Sequence, residues 1–260
     1  MQENQNPELL VRTSSLYPCG PLARIPLIED LLNERLPVGS FLMVQFYASS
    51  QWYAASFAIA AGWVKTGGNV SYNVTSQAPD KIRLQLKRRG LDVERLENEG
   101  KLRIFDWYTA TLGQKSKERF AYDSLKVADL SIWFSKYRVA GTDVLYPLSP
   151  EWLRIYDNVS SLARFNDDKS WVEFWLSRVI PSASLRKSSA IGGFVRKVHG
   201  DWVYNTLEAA VDGVIDFKLE EVGKATKNFM RIRSMRNVAH DSEWHRLKID
   251  ENFEVTIDKS

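Results

Sequence analysis

The chain has 260 residues, 44% of them hydrophobic and 26% charged, with a formal net charge of +3. That length carries one large α/β domain or two small ones, and so slight a positive excess does not by itself argue for nucleic acid. The single cysteine, Cys19, excludes an internal disulfide and any thiolate-only metal site within one chain.

Residues 1 to 20 are polar, without the apolar stretch of a secretion signal, and are expected to form a leader ordered in part at best. Residues 21 to 260 are expected to form a single domain. No apolar segment reaches the roughly 18 residues of a membrane span, so the expectation is a cytoplasmic protein without membrane attachment. The sequons at Asn69, Asn73 and Asn158 then read as Ser/Thr-rich strand ends.

From Ile25, IPLIEDLLNERLPVGS predicts a short amphipathic helix with Leu27, Ile28, Leu31 and Leu32 on one side, stopped by Pro37 and Gly39. A strand over 41–47 and an Ala-rich helix over 50–65 follow, ended by Gly67 and Gly68. NVSYNVT is a second β-rich run. Pro79 and Asp80 open the helix DKIRLQLKRRG, closed by Gly90 with basic residues in its last turn, where the helix dipole favours them. LDVERLENEG predicts a short helix, KLRIFDWY a third strand, and 109–122 a polar surface loop.

SLKVADLSIWFSKYR predicts a helix, WLRIYDNV a strand, SWVEFWLSRVI a helix, and SSAIGGFVRKV a strand weakened by Gly192 and Gly193. After NTLEAAV come three strand-like runs, GVIDFKLEEV, NFMRIRSMRN and FEVTI. Strands alternating with helices imply a parallel sheet covered on both faces, and consecutive strands at the end imply an antiparallel edge. The aromatic groups Trp133/Phe134/Tyr137 and Trp171/Phe174/Trp175 have helical spacing. They belong in the core by default, or on a partner surface if exposed.

Taken in order, these elements resemble the RecA-like ATPases, specifically their KaiC-like branch, from about Gly20 to Ile257. LIEDLLNERLPVGSFLMV resembles the lead-in to the first core strand, and KIRLQLKRRGLDVERLENEGKLRIFD the second helical unit. NTLEAAVDGVIDFKLEE and MRIRSMRNVAHDSEWHRLKID resemble the C-terminal strands. The resemblance implies a RecA-like three-layer α/β fold, mostly parallel at its centre, with helices on both faces and antiparallel C-terminal edge strands. It also implies a nucleotide site, whose parts can be sought one by one.

The phosphate-binding motif GxxxxGK[ST] needs glycines so that backbone amides close around phosphate, a lysine for charge and a hydroxyl for Mg²⁺. It falls on Phe46 to Tyr53, with Phe46 and Gln51 at the glycine positions, Trp52 at the lysine and Tyr53 at the hydroxyl. Non-glycine residues resist positive φ, and Trp52 brings bulk in place of charge. The water-activating glutamates of the family match Ser76 and Gln77, neither of which is a base at neutral pH. Asp157 matches the metal-binding acid after an apolar strand, but an aspartate there also caps or packs. SMRNVAH matches the arm that reaches a neighbouring subunit's nucleotide. It keeps Met235, Arg236 and His240, with Ser234 and Asn237 at the lysine and glycine positions. Arg236 reads equally as an arginine finger or as an ordinary edge-strand arginine.

His199, His240 and His245 match no zinc spacing, and no nucleophile elbow is present. The basic clusters KRRG (87–90) and RIRSMR (231–236) could meet the phosphates of nucleic acid, but with acidic runs near them a helix end and a solvated strand face explain both, and nucleic acid is not the favoured partner. The expectation is a catalytically inactive pseudo-ATPase without a metal or an obligatory cofactor. It would be a regulatory or scaffolding subunit that assembles with itself or with an active KaiC/RecA-like paralogue. The alternatives are a non-hydrolysing ATP binder and a nucleic-acid-binding recombinase paralogue.

Overall fold

A computed structural model describes residues 25–132 and 149–258. The leader, Cys19 and the group Trp133, Phe134 and Tyr137 lie outside the described residues. The first strand, β1 (Phe41–Phe46), is buried on both faces along its whole length, as a central parallel strand must be. After the loop 47–51, α1 (Trp52–Lys65) begins, rich in alanine and buried over most of its surface. It ends at Gly67, whose φ of +92° needs a residue without a Cβ.

β2 (Asn69–Val74) leads to α2 (Pro79–Arg88), which opens on proline, the residue whose missing amide costs nothing there. α3 (Val93–Asn98) is capped by Asp92, whose carboxylate accepts from the Arg95 amide. β3 (Leu102–Asp106), the two-residue β4 (Phe120–Ala121) and β5 (Trp152–Tyr156) follow.

A long helix, α4, runs through Asp168–Phe174, a π-helical stretch Trp175–Val179, and Ile180–Arg186. The π stretch immediately precedes Pro181, where a regular helix would clash with the prolyl ring. β6 (Ala190–Val195), α5 (Asp201–Glu208), β7 (Gly213–Val222), β8 (Ala225–Met235), β9 (His245–Ile249) and β10 (Val255–Asp258) complete the described chain.

All ten strands form one sheet in the order β10-β9-β8-β7-β1-β6-β5-β2-β3-β4. Pairs from β7 to β4 across β1 are parallel, and β7–β8, β8–β9 and β9–β10 are antiparallel. Two apolar clusters flank the sheet. One joins it to α1, α2 and α3, the other to α4 and α5. The expected fold class, a parallel centre with helices on both faces and antiparallel C-terminal strands, is borne out. Trp171, Phe174 and Trp175 are buried in the second cluster and are core residues.

Three local expectations are corrected. The segment from Ile25 is not an amphipathic helix. It holds a single 3₁₀ turn, Glu29–Leu31, and Leu27 has a φ of +68°. Its apolar spacing reports burial of Ile25, Leu27, Ile28 and Leu31, with Pro26 so close to α1 that a Cβ on Gly62 would lie 2.5 Å from its ring. Residues 109–122 are not merely a loop, since they contain part of a helical turn, Tyr108–Thr111, and the edge strand β4. The strand β9 was not among the three strand-like runs, although it lies in the segment that resembles the C-terminal strands; it inserts between β8 and β10.

Candidate functional site

After β1, α1 carries the chain across β6 and β5 to β2. The carboxyl end of β1 is therefore a point where the winding of the sheet reverses, the place where open α/β sheets bind ligands. The loop 47–51 occupies that point and folds on itself. The Ser50 amide and hydroxyl both donate to the Tyr47 carbonyl, at 2.8 and 2.7 Å. No residue from 40 to 66 has a positive φ, so the loop lacks the alternation of right- and left-handed residues that points successive amides at an anion.

Trp52 is fully buried at the start of α1. Its indole Nε1 donates to the backbone carbonyl of Asp157 at 2.7 Å, and its ring lies 6.1 Å from Phe46 and 5.6 Å from Phe217. The room comes from β6, where a Cβ on Gly193 would stand 2.4 Å from Trp52 Nε1 and 2.6 Å from the Asp157 carbonyl. Gly192 makes a smaller allowance, where a Cβ would stand 3.0 Å from the Phe194 ring and 3.1 Å from that of Phe41. The paired glycines are thus a seat for aromatic rings rather than a weakness of the strand.

Asp157 directly follows β5 and is fully buried. Oδ1 accepts from the Thr75 amide (2.9 Å) and hydroxyl (3.1 Å), and Oδ2 from the Ser76 hydroxyl (2.5 Å). Burial raises its pKa above the usual carboxylate range, and the bonds from Ser76 and Thr75 oppose that shift. The carboxylate fastens β5 to the end of β2; the helical turn that follows starts after Asn158 and has no side-chain cap. Asn158 Nδ2 donates to the Tyr53 hydroxyl at 3.3 Å. The Tyr53 phenol is pushed up to about 12, first by burial and then by the Asp157 charge.

Four of the residues singled out from sequence, Trp52, Tyr53, Ser76 and Asp157, therefore meet in one corner. Gln77 joins Tyr53 and Ser76 in lining an adjacent cavity of about 600 Å³ between α1, α2 and the β9–β10 turn. Arg236 does not join them. It follows β8 where Met235 pairs with Gly213, and Gly213 is level with Leu42 at the amino end of β1. Its guanidinium donates to the Ala209 carbonyl on that opposite edge.

Two further residues of the cavity carry no motif. Arg89, which reads as a helix end in the sequence, is 7% exposed and lines it. Phe253, in the β9–β10 turn, also lines it and has a φ of +62°. Only the KRRG run pointed near the first, and nothing pointed to the second, because a turn's conformation is set by how the strands on either side of it, β9 and β10, pair. The other basic groups are largely engaged. Arg231 and Arg233 meet the buried Asp216 at 3.0 and 3.2 Å, Arg233 also meets Glu208 at 2.8 Å, and Lys87 meets Glu94 at 3.0 Å. Among the described residues no group of three or more His, Cys, Asp or Glu could hold a metal ion, and no helix is long and apolar enough to cross a membrane.

No family model matches the sequence. The UPF0273 protein MJ1359 of Methanocaldococcus jannaschii is 29% identical over 212 residues, 74% of this chain and 79% of its own length. Among solved structures, the KaiC-like protein PH0186 of Pyrococcus horikoshii superposes with a TM-score of 0.67 at 17% identity, over 91% of this chain and 97% of that one. The flagellar accessory protein FlaH of Methanocaldococcus jannaschii superposes with a TM-score of 0.69 at 15% identity, over 92% of this chain and 100% of its own. In its sheet order, its two helical layers and its antiparallel C-terminal strands, the chain has the fold of these KaiC-like structures.

Proposed function

We propose that this chain is a KaiC-fold protein that does not hydrolyse ATP and acts as a regulatory or scaffolding subunit. In this reading it assembles with itself or with an active KaiC/RecA-like paralogue. The observation that carries the proposal is the burial of Trp52. Its indole fills the start of α1 and is bonded to the Asp157 carbonyl, at the residue that the sequence resemblance aligns with a P-loop lysine. A triphosphate with its Mg²⁺ does not fit the groups present. The loop offers no nest of amides, and the Asp157 carboxylate is occupied by Thr75 and Ser76. Neither Ser76 nor Gln77 can take a proton from water at neutral pH.

The test is ATP turnover with Mg²⁺ by the purified chain and by Asp157→Asn. We expect no phosphate release above the uncatalysed rate in either protein. Metal-dependent hydrolysis that vanishes in the variant would overturn the proposal.

A second reading, nucleotide binding without hydrolysis, is favoured by the open cavity beside the filled corner. It predicts a thermal shift with ATP or ADP that survives the absence of turnover.

A further inference from the structure

Among the described residues, Arg89 shares with the core residue Arg154 a set of neutral partners only, but Arg89, unlike Arg154, lines a cavity. Arg83 is held by Glu97 at 2.9 Å and Glu118 at 2.5 Å, and Arg231 and Arg233 by Asp216. Arg89 is more deeply buried than any of these, yet its bonds go only to neutral acceptors. Nη1 donates to the backbone carbonyl of Gln85 at 3.0 Å and to its side-chain oxygen at 3.4 Å, and Nη2 to the Ala54 carbonyl at 3.4 Å. Nε has no hydrogen-bond partner among the described residues. Burial holds its pKa below the ordinary arginine value, with only Tyr72 acting in the other direction. A guanidinium removed from water without a counter-charge is unfavourable to folding.

The second observation is the aromatic frame around it. The Arg89 guanidinium lies 5.4 Å from the Phe57 ring centre and 5.9 Å from that of Phe253, and the Arg88 guanidinium lies 5.3 Å from the Phe253 ring centre. Phe253 reaches this place from a left-handed backbone conformation that bulky residues seldom adopt. Strain of this kind gathers at ligand clamps. The cavity of about 600 Å³ in front of these groups is within the range of small-molecule sites.

We propose that this cavity binds a small organic oxyanion, a carboxylate or phosphate monoester carried on a flat apolar body. The charge would sit on Arg89 and the body against Phe57 and Phe253. The site is separate from the corner filled by Trp52 and does not rest on the absence of hydrolysis. It also differs from a seat for a neutral base, which would leave the Arg89 charge uncompensated.

The experiment measures thermal stability and calorimetric binding of the full chain with benzoate and phenyl phosphate. Their neutral counterparts, benzamide and benzyl alcohol, and adenosine serve as comparisons. At a hundredfold excess over Kd, at least one of the anions should raise Tm by about 5 °C, while the neutral compounds raise it by no more than a fifth of that. Arg89→Gln should weaken anion binding at least tenfold while its ligand-free Tm equals or exceeds that of the wild type, because it removes an unpaired buried charge. Phe253→Ala, in an exposed turn, provides a second variant and should weaken the same binding several-fold. Anions that stabilise the wild type no better than the neutral compounds would overturn the proposal, as would anion binding that persists in Arg89→Gln.

Discussion

The corner at the end of β1 is decided by a few atoms. Trp52, Gly193 and the Asp157 carbonyl form a tight three-part fit: the indole can donate to the carbonyl only because β6 has no side chain at the contact. Gly193→Ala introduces a Cβ that must displace both the ring and a backbone oxygen, and overpacking of this kind in a close-packed sheet costs about 3 kcal/mol. Trp52→Ala in the same chain removes one of the two clashes. The double variant should therefore be at least about 1 kcal/mol more stable than the sum of the single effects predicts. Urea denaturation of the four proteins measures this, and strict additivity would mean that the ring and the glycine are not coupled. The sequence made half of this legible. A tryptophan at the residue that the sequence resemblance aligns with a lysine is visible on inspection, but the paired glycines look like a defect until the rings that lie over them are known.

At the scale of elements, the Asp157 carboxylate is the fastening between β5 and β2. Because burial raises its pKa, the folded chain holds that proton more tightly than the unfolded chain does. The resulting contribution to stability is complete below the unfolded value of about 3.9 and is lost as pH rises through the folded value. Asp157→Asn removes this dependence while leaving a group that can still bond to Thr75 and Ser76. The stability of the wild type relative to the variant should therefore fall as pH rises from about 4, in denaturation series run at matched pH. A difference that stays flat or rises would show that the hydrogen bonds outweigh burial. Element boundaries were legible where a strand is buried on both faces, as in β1 and β5, or where glycine and proline punctuate the chain, as in α2. They were not legible from Ile25 to Leu36. There a helical spacing of leucines marks residues buried by irregular backbone, since periodicity reports which side chains are covered and not how the chain covers them.

The whole molecule places its two distinctive surfaces at opposite ends of the sheet. Arg89, Phe253 and the cavity lie by the carboxyl ends of the parallel strands, and Arg236 lies by their amino ends, level with Gly213. Within one chain these groups cannot meet. If Arg236 acts on a ligand or a cavity at all, it does so on a second copy or a paralogue. A contact that joins one end of a molecule to the opposite end of the next is heterologous, producing a ring or a filament rather than a twofold dimer. Arg236 is exposed, and the one bond its side chain is seen to make goes to the Ala209 carbonyl. Arg236→Ala should therefore leave the unfolding free energy within about 0.5 kcal/mol of the wild type, as surface substitutions usually do. The assembly proposed above makes a second demand, that the variant sediment as smaller species than the wild type at equal concentration. Sedimentation velocity over a range of loading concentrations separates the two effects. Identical distributions for the two proteins would leave Arg236 as an ordinary edge arginine and move the assembly surface elsewhere, whereas dissociation with unchanged stability would place Arg236 in the interface between copies.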